Sequence, residues 1–422
     1  MSASAPLDPR LRAWRWRVFS ATWLAYFGYY FCRKPFYIAK SDLMEAHHWT
    51  SQDLGNIGAV YLITYAIGQF IAGWSSNRWG ARLVLLCGMT VTLAVNASFG
   101  ITDSKATFAL LMGLNGLVQA TGWSSCVGTM GQWFHRGERA SVMGPWATNF
   151  QLGSIMAGLF SAWLLGRAGY QWSFFGGSLV MLVVLAFFAF NQRNRPEDLG
   201  LPPVKDPRET PAEAAEAAST DDAMARSVWL NIGLVGIFYF FAKLIRYALW
   251  SWVPLMLNQH YGMSKADAGY LSTVFDAAGF AGTFAAGFLA DRLFRGSLAS
   301  LSFVFIAAMT ASMGFLYVGG TASLALFGIG LALVGFFLYG PDALMTGAGA
   351  VNVGSPRHAA KAAGFISGIG SLGPIIQELV LPRYMGSGDV TQVFGLLLVS
   401  AVLCLAALGW MLRRNRTGLA AL

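Results

Sequence analysis

Long apolar stretches separated by short polar segments run through almost the whole of this 422-residue chain. A membrane span needs about 20 mostly apolar residues to cross a hydrocarbon core of about 30 Å. Charged residues make up only 12% of the sequence, against about 25% in a typical soluble domain. The pattern therefore predicts an all-α integral membrane protein. Twelve transmembrane helices are expected, roughly at residues 17–38, 55–77, 82–101, 106–133, 139–166, 173–191, 228–257, 267–290, 298–318, 322–350, 358–381 and 390–412.

Basic residues concentrate in alternate connecting segments. A net charge of +9 would suggest acidic partners for a soluble protein, but here the distribution of charge matters more. With the N-terminus placed inside, most of the 29 Lys and Arg residues fall on the cytoplasmic side, as the positive-inside rule requires. We therefore expect both termini in the cytoplasm and a multi-pass location in the bacterial inner (cytoplasmic) membrane. The first apolar segment is too long for a cleaved signal peptide, so it is retained as the first helix.

One polar stretch, between the sixth and seventh spans, is long enough to be a linker. We expect an N-terminal six-helix bundle over residues 1–192, a cytoplasmic linker over 193–227 and a C-terminal six-helix bundle over 228–422. The halves also repeat each other at a fixed offset, since Asp53 returns as Asp267. With six spans in each half, the two copies enter the membrane in the same direction.

Four basic residues lie inside predicted spans: Arg33, Lys34, Lys243 and Arg246. A charge at the centre of a span costs roughly 2.5–3.5 kcal/mol on insertion scales, so it persists where it has a function or a partner. Arginine offers phosphate a planar fork of paired hydrogen bonds, whereas lysine offers a point charge. One arginine in each half predicts an anion-binding pathway. The alternative is that these side chains reach the interface or pair within their own half.

Three acidic residues also lie inside predicted spans: Asp276, Asp342 and Glu378. Asp276 is the deepest, and we expect it to be a counter-ion for a basic residue in the empty protein, with a proton site as the alternative. Asp342 follows a probable helix break at Pro341, and Glu378 lies near an outer end. For both, local capping or exposure at the interface stands beside a counter-ion or coupling role.

Uncharged polar side chains accompany the first arginine. Tyr26 and Tyr30 share one face of the first helix, and Tyr65 and Gln69 form a similar pair in the second. Their phenol and amide groups can bond phosphate oxygens or sugar hydroxyls, with aromatic packing as the alternative for the tyrosines.

The four cysteines all lie in predicted spans and show no CxxC spacing. Neither a disulfide framework nor a zinc site is indicated. No catalytic nucleophile or pair of catalytic carboxylates stands at an exposed position, so we expect no enzyme, no cofactor and no metal site.

Two short basic turns, at residues 73–82 and 287–296, each join the second and third spans of a half. They resemble the loop motif of the major facilitator superfamily, Gly-x-x-x-Asp-Arg-x-Gly-x-Arg. The first copy departs from it, with Asn77 in place of the acidic residue. The resemblance implies a major facilitator fold of two six-helix bundles. It also implies a substrate site between the halves near the midplane and alternating access by a rocker-switch movement.

Five further runs resemble the organophosphate:phosphate antiporter family of that superfamily. They lie at residues 29–36, 122–125, 195–201, 246–254 and 339–341. The resemblance implies that Arg33 and Arg246 bind phosphate. It also places Tyr26, Tyr30, Tyr65 and Tyr339 at positions where glycerol-phosphate members have site tyrosines.

The chain departs from the glycerol-phosphate members at four positions. Those members carry Lys where this chain has Gln69, His where it has Phe150, Asp where it has Ser251 and Tyr where it has Lys243. One cation has left the second span and another has appeared in the seventh. We therefore predict that Lys243 replaces the missing lysine and that Lys243 and Gln69 set substrate choice.

Together these features predict a secondary active transporter that exchanges an organic phosphate ester for inorganic phosphate. Hexose phosphates are favoured, with glycerol-3-phosphate or phosphoglycerate also possible. A proton-coupled organic anion symporter, with Asp276 or Glu378 carrying the proton, and a membrane sugar-phosphate sensor remain alternatives. The expected partners are the phosphate ester, inorganic phosphate and the lipid bilayer. No nucleic acid is expected, and the chain is expected to act as a monomer.

Overall fold

The computed structural model describes residues 8–134, 136–204, 226–294, 297–346, 348–385 and 390–417, and these ranges contain no β-strand. The helices before the linker are α1 (Pro9–Phe31), α2 (Lys34–Ile38), α3 (Lys40–His47), α4 (Ser51–Trp79), α5 (Ala81–Phe99), α6 (Lys105–Gln119), α7 (Thr121–Trp133), α8 (Arg136–Ala168) and α9 (Tyr170–Asn191). Those after it are α10 (Arg226–Tyr261), α11 (Lys265–Arg292), α12 (Leu298–Gly319), α13 (Leu324–Thr346), α14 (Ala348–Val380), α15 (Pro382–Met385) and α16 (Val390–Arg416).

The long helices correspond to the twelve predicted spans. Within the described ranges, nine stretches of helix are long and apolar enough by themselves to cross a membrane. Helix α1, the successive pair α6 and α7, and helix α8 cover the remaining three predicted spans. The prediction of an all-α membrane protein with twelve transmembrane helices is confirmed.

The first predicted span is not one continuous helix, because it breaks at Cys32 and Arg33. The cause is Pro35, which has no N–H to donate to the carbonyl of Phe31 and whose ring clashes with that carbonyl in a continuous helix. Helix α1 ends instead with hydrogen bonds between residues three apart. The N–H of Cys32 donates to the carbonyl of Tyr29, and that of Arg33 donates to the carbonyl of Tyr30. The fourth span also breaks, at Ala120 between α6 and α7.

The first of two compact units comprises Met1–Phe36 and Ile63–Glu216. Its core combines apolar side chains of α1, α5, α7, α8 and α9, with the fully buried Trp133 and Trp146 among the largest. The backbones also approach closely. A Cβ at Gly177 of α9 would overlap the carbonyl oxygen of Phe31, so only glycine allows this contact.

The second unit comprises Tyr37–Leu62 and Ala217–Leu422. Its helices also meet at glycines: a Cβ at Gly282 of α11 would overlap the backbone of Phe336 on α13. The unit includes a segment from the N-terminal part of the chain, made of α3 and the first part of α4. Helix α4 therefore begins in the second unit and ends in the first.

The beginning of the predicted linker is ordered. A short 3-10 helix over Pro196–Leu199 follows α9, and the side chain of Asn194 accepts a hydrogen bond from the backbone N–H of Arg82 at 2.8 Å. This contact joins the linker to the first basic turn. Residues 205–225 lie outside the described ranges. The predicted boundaries at 192, 193, 227 and 228 stay a prediction.

Candidate substrate-binding site

Arg33 lies in the turn between α1 and α2, where the side-chain amide of Gln119 orients it. Its Nε donates to the side-chain oxygen of Gln119 at 2.9 Å, and the amide nitrogen of Gln119 donates to the carbonyl of Cys32 at 3.0 Å. Asn115, one helical turn before Gln119, donates to the same carbonyl at 3.1 Å. The two amides thus bond the backbone at the helix break, next to Arg33.

The predicted tyrosines surround Arg33 and the end of α1. The guanidinium carbon of Arg33 lies 4.9 Å from the ring centre of Tyr30 and 5.1 Å from that of Tyr65. Tyr26 packs edge-on against Tyr30 and contributes a side-chain hydrogen bond with Tyr65. The structure thus brings Tyr26, Tyr30 and Tyr65 together with Arg33, in an arrangement that favours a cation.

Two other predicted residues of the first half have different surroundings. Lys34 begins α2 and is almost fully buried, whereas Gln69 of α4 is exposed. Phe150, which stands where glycerol-phosphate members have His, packs against the aromatic core of the first unit.

In the second unit, Arg246 of α10 pairs with a carboxylate. Its Nη1 contacts Oδ2 of Asp342 on α13, and its guanidinium lies 5.8 Å from the ring centre of Tyr339. The hydroxyl of Tyr339 in turn donates to Asp276 of α11. The counter-ion that contacts Arg246 is therefore Asp342, and Asp276 is held by a phenol.

Lys243 lies one turn before Arg246, on the same face of α10. Its Nζ is 3.5 Å from the hydroxyl of Ser371 on α14 and 4.7 Å from the ring centre of Tyr239. Lys243 therefore lies close to Arg246, and its role in place of the missing lysine stays a prediction.

Glu378, the third predicted acid, belongs to a buried polar cluster. Lys40 of α3 lies 2.7 Å from the hydroxyl of Ser251 and 3.4 Å from Oε2 of Glu378, and Ser251 donates to the other carboxylate oxygen. The ammonium also lies 3.3 Å from the ring centre of Trp252. The side chains of Lys40 and Glu378 are 0% and 1% exposed. Glu378 is therefore not exposed at an interface.

Burial alters the acid–base chemistry of this part of the second unit. Helix α3 is too short to span a membrane, and burial lowers the pKa of its Lys40 to about 8, although Glu378 acts in the opposite direction. In the same helix, burial raises the pKa of Asp42, while the ammonium of Lys265 lowers it. The carboxylate of Asp42 is 3.3 Å from that ammonium.

Three important contacts were missed by sequence reasoning: those of Gln119, Asn115 and Lys40. Gln119 and Asn115 carry a sequence signal, because two amides four residues apart in an apolar helix share one face and need partners there. No sequence signal marks Lys40, because a lysine just beyond a predicted span is ordinarily exposed to solvent.

Comparison with known proteins places this arrangement in a family. The sequence profile of the Major Facilitator Superfamily matches residues 22–378. The chain belongs to the Major Facilitator Superfamily. The predicted resemblance to the organophosphate:phosphate antiporter branch of this superfamily is confirmed by the similar proteins described below.

Three curated members of the superfamily illustrate that branch. "Membrane sensor protein UhpC" of Salmonella typhimurium is 29% identical over 94% of this chain and 93% of its own length. "Probable hexose phosphate transport protein" of Chlamydia pneumoniae is 26% identical over 92% and 87%. "Glycerol-3-phosphate transporter" of Bacillus subtilis is 26% identical over 96% and 94%.

Solved structures support the same fold. A bacterial homologue of the human lysosomal transporter Spinster, in an inward-facing and unoccupied conformation, matches with a TM-score of 0.73 and 16% identity over 96% of this chain and 97% of its own. At that identity the likeness concerns the fold. The prediction of a multi-pass protein of the bacterial inner membrane is confirmed.

Proposed function

We propose that this protein is a secondary active transporter that exchanges an organic phosphate ester for inorganic phosphate by alternating access. The observation that carries the proposal is the environment of Arg33. Gln119 accepts a hydrogen bond from the Nε of its guanidinium, and the rings of Tyr30 and Tyr65 flank it. A guanidinium oriented in this way is placed to donate paired hydrogen bonds to phosphate oxygens.

Arg246 and Lys243 supply the second part of the proposed phosphate site. They lie on one face of α10, within the second unit, and Arg246 lies in the first long helix of its half, whereas Arg33 follows the first long helix of the other half. The relatives named for hexose phosphate and glycerol-3-phosphate support a phosphate ester as substrate. We favour hexose phosphates, because the His and Asp of glycerol-phosphate members are replaced here by Phe150 and Ser251.

The decisive experiment is counterflow into liposomes that contain the purified protein and unlabelled inorganic phosphate. Uptake of labelled phosphate is measured with one competitor at a time in the external buffer: glucose-6-phosphate, glycerol-3-phosphate or 3-phosphoglycerate. Glucose-6-phosphate is expected to compete best. Arg33→Lys and Arg246→Lys are each expected to weaken phosphate binding about tenfold or more, because lysine cannot make the paired hydrogen bonds.

Two variants sharpen this experiment. Arg167→Lys, at an exposed position near the end of α8, is expected to leave the competition unchanged. Lys243→Gln is expected to weaken phosphate ester binding. Unchanged affinity in Lys243→Gln, together with lost affinity in Arg246→Lys, would show that Lys243 does not replace the missing lysine.

A sensor is the second candidate, because one similar protein is named as a membrane sensor. Phosphate ester binding by the purified protein without counterflow of any phosphate compound would favour the sensor over the transporter.

A further inference from the structure

One tryptophan of the first unit, Trp123 on α7, is exposed in the middle of a span. It lies ten residues before Trp133, the last residue of α7. Ten residues correspond to roughly 15 Å along a helix, which is about half of a hydrocarbon core of about 30 Å. Trp123 is nevertheless 40% exposed. Tryptophans that anchor a membrane protein lie at the two interfaces, so this position is not that of an interfacial anchor.

The indole N–H of Trp123 is its second unusual feature. Two other tryptophans of this unit are fully buried and donate their N–H groups. Trp133 donates to the carbonyl of Arg193 at 3.0 Å, and Trp146 donates to the hydroxyl of Thr22 at 3.0 Å. No such hydrogen bond is found for Trp123 within the described ranges. Because a polar group without a partner is costly in hydrocarbon, the exposed side of this indole is suited to water or to a polar ligand.

Trp123 belongs to the same aromatic group as the tyrosines beside Arg33. Its ring centre lies 5.3 Å from that of Tyr26 and 5.4 Å from that of Trp146. The ring centre of Tyr26 lies 6.0 Å from that of Tyr30, which in turn is 4.9 Å from the guanidinium carbon of Arg33. A continuous row of rings therefore leads from the arginine to the exposed indole.

The indole is held in place by close packing between α7 and α1. A Cβ at Gly122 would lie 2.9 Å from the ring of Tyr29, so the missing side chain at Gly122 lets the two helices approach closely. Gln119, which orients Arg33, lies four residues before Trp123 in the same predicted span. The span that orients the arginine thus also carries the indole.

These features match the two ends of a hexose phosphate. The phosphate can accept paired hydrogen bonds from the guanidinium. A pyranose ring has a face of C–H groups, an apolar surface that packs on a flat aromatic ring. The hydroxyls at its rim can accept a hydrogen bond from an indole N–H, which is a donor only. Inorganic phosphate has no carbon skeleton, and an open-chain ester has no rigid C–H face.

We propose that Trp123 is a specificity-determining residue, which binds the pyranose ring of a hexose phosphate while Arg33 binds its phosphate group. This inference rests on the proposed function and names the sugar-binding residue of that site. It also specifies the substrate further, because a closed sugar ring is then recognised in addition to the phosphate.

The test compares two phosphate esters with the same six-carbon skeleton: glucose-6-phosphate, which forms a ring, and sorbitol-6-phosphate, which is an open chain. Each inhibits counterflow of labelled inorganic phosphate in protein-containing liposomes, and the ratio of the two inhibition constants is measured. In the wild type, glucose-6-phosphate is expected to be the better inhibitor by about tenfold. Trp123→Leu is expected to bring the ratio close to one and to leave inhibition by unlabelled inorganic phosphate unchanged. Trp123→Phe, which keeps a flat ring, is expected to retain part of the preference.

Trp163→Leu is the matched control, because Trp163 is also exposed, at 43%, but lies near the end of α8. It is expected to leave the ratio unchanged. An unchanged ratio in Trp123→Leu, or a wild type that does not distinguish the two esters, would overturn this inference. Trp123→Met takes the place of Trp123→Leu if the latter does not fold, as judged by size-exclusion chromatography in detergent. Failure of the proposed function looks different, because the wild type would then show no counterflow of phosphate.

Discussion

At the scale of single residues, the most informative feature is how the Arg33 guanidinium is oriented. Gln119 contacts Arg33 directly, whereas the hydrogen bonds found for Asn115 join it to the carbonyl of Cys32 and to Gln119. Both amides bond the carbonyl of Cys32, and Gln119 also donates to the side chain of Asn115 at 3.1 Å. Both residues therefore stabilise the backbone at Cys32, and Gln119 also bonds Arg33 directly.

We predict that Gln119→Leu weakens phosphate affinity about tenfold, because a hydrogen bond to a charged group contributes roughly 1.5–3 kcal/mol. The measurement is the inhibition constant of inorganic phosphate in the counterflow assay. Asn115→Leu is the matched control, since it removes a bond to Cys32 without removing the bond to Arg33. Equal loss of affinity in both variants, at equal thermal stability, would argue that Gln119 supports only the fold.

The residue scale also marks a limit of the sequence. Hydropathy identifies Arg33, Arg246, Asp276, Asp342 and Glu378 as charges inside apolar stretches, since that information is local. Their partners are not local, so periodicity cannot assign them. Asp276 accepts a hydrogen bond from Tyr339, a partner that the sequence does not indicate, and its role as a counter-ion stays a prediction. Asp342 was given helix capping as an equal alternative and instead pairs with Arg246.

At the scale of elements, the segment formed by α3 and the first part of α4 is attached to α10 and α14 through polar groups. Lys40 joins Ser251 and Glu378, and Ser51 donates to the carbonyl of Pro382 at 3.0 Å. The approach is close, because a Cβ on Gly58 would lie 2.9 Å from the carboxylate of Glu378. These buried contacts thus join the segment to the rest of the second unit.

We predict that removing one member of the Lys40–Glu378 pair destabilises the protein strongly. Lys40→Met and Glu378→Gln are each expected to cost about 3–5 kcal/mol, because each leaves a buried polar group without its partner. The double variant is expected to cost less than the sum of the two. Thermal unfolding in detergent, combined with a double-mutant cycle, measures these effects.

The second unit supplies a control in the pair of Lys265 and Glu45, which are 2.6 Å apart and 23% and 70% exposed. Glu45→Gln is expected to cost less than about 1 kcal/mol, since exposed ion pairs contribute little. Additive effects of Lys40→Met and Glu378→Gln would contradict the assignment of these residues to one coupled cluster.

The helices also show which structural features hydropathy predicts and which it misses. It located the twelve spans, because the required apolar length is set by the bilayer. It did not show the breaks in the first and fourth spans. Pro35 is a sequence signal for the first break. The partners of the backbone at that break are Asn115 and Gln119, which donate to the carbonyl of Cys32 from another helix.

At the scale of the whole molecule, the charge inside the spans bears on the transport cycle. Arg33 and Lys34 are buried in the first unit, where a positive charge inside the membrane is costly. A bound phosphate would compensate that charge during the conformational change. The empty protein would have to make the same change without an anion.

We predict that labelled phosphate leaves protein-containing liposomes at least about tenfold faster when phosphate or a phosphate ester is present outside than when the outside buffer contains no transported anion. Efflux is followed with and without external phosphate, and protein-free liposomes report the passive leak. Rapid efflux into buffer without phosphate would show that the empty protein changes conformation readily, and would exclude obligatory exchange.

The path of residues 37–62 has a practical consequence for dividing this gene. Two halves that arose as a repeat are natural candidates for expression as separate fragments cut within the linker. A fragment ending there, however, would carry Lys40, Ser51 and Gly58 without Ser251, Glu378 and Pro382, their partners on the other fragment. Fragments cut at the linker are therefore expected to recover these buried contacts when both are produced together, and not when either is produced alone.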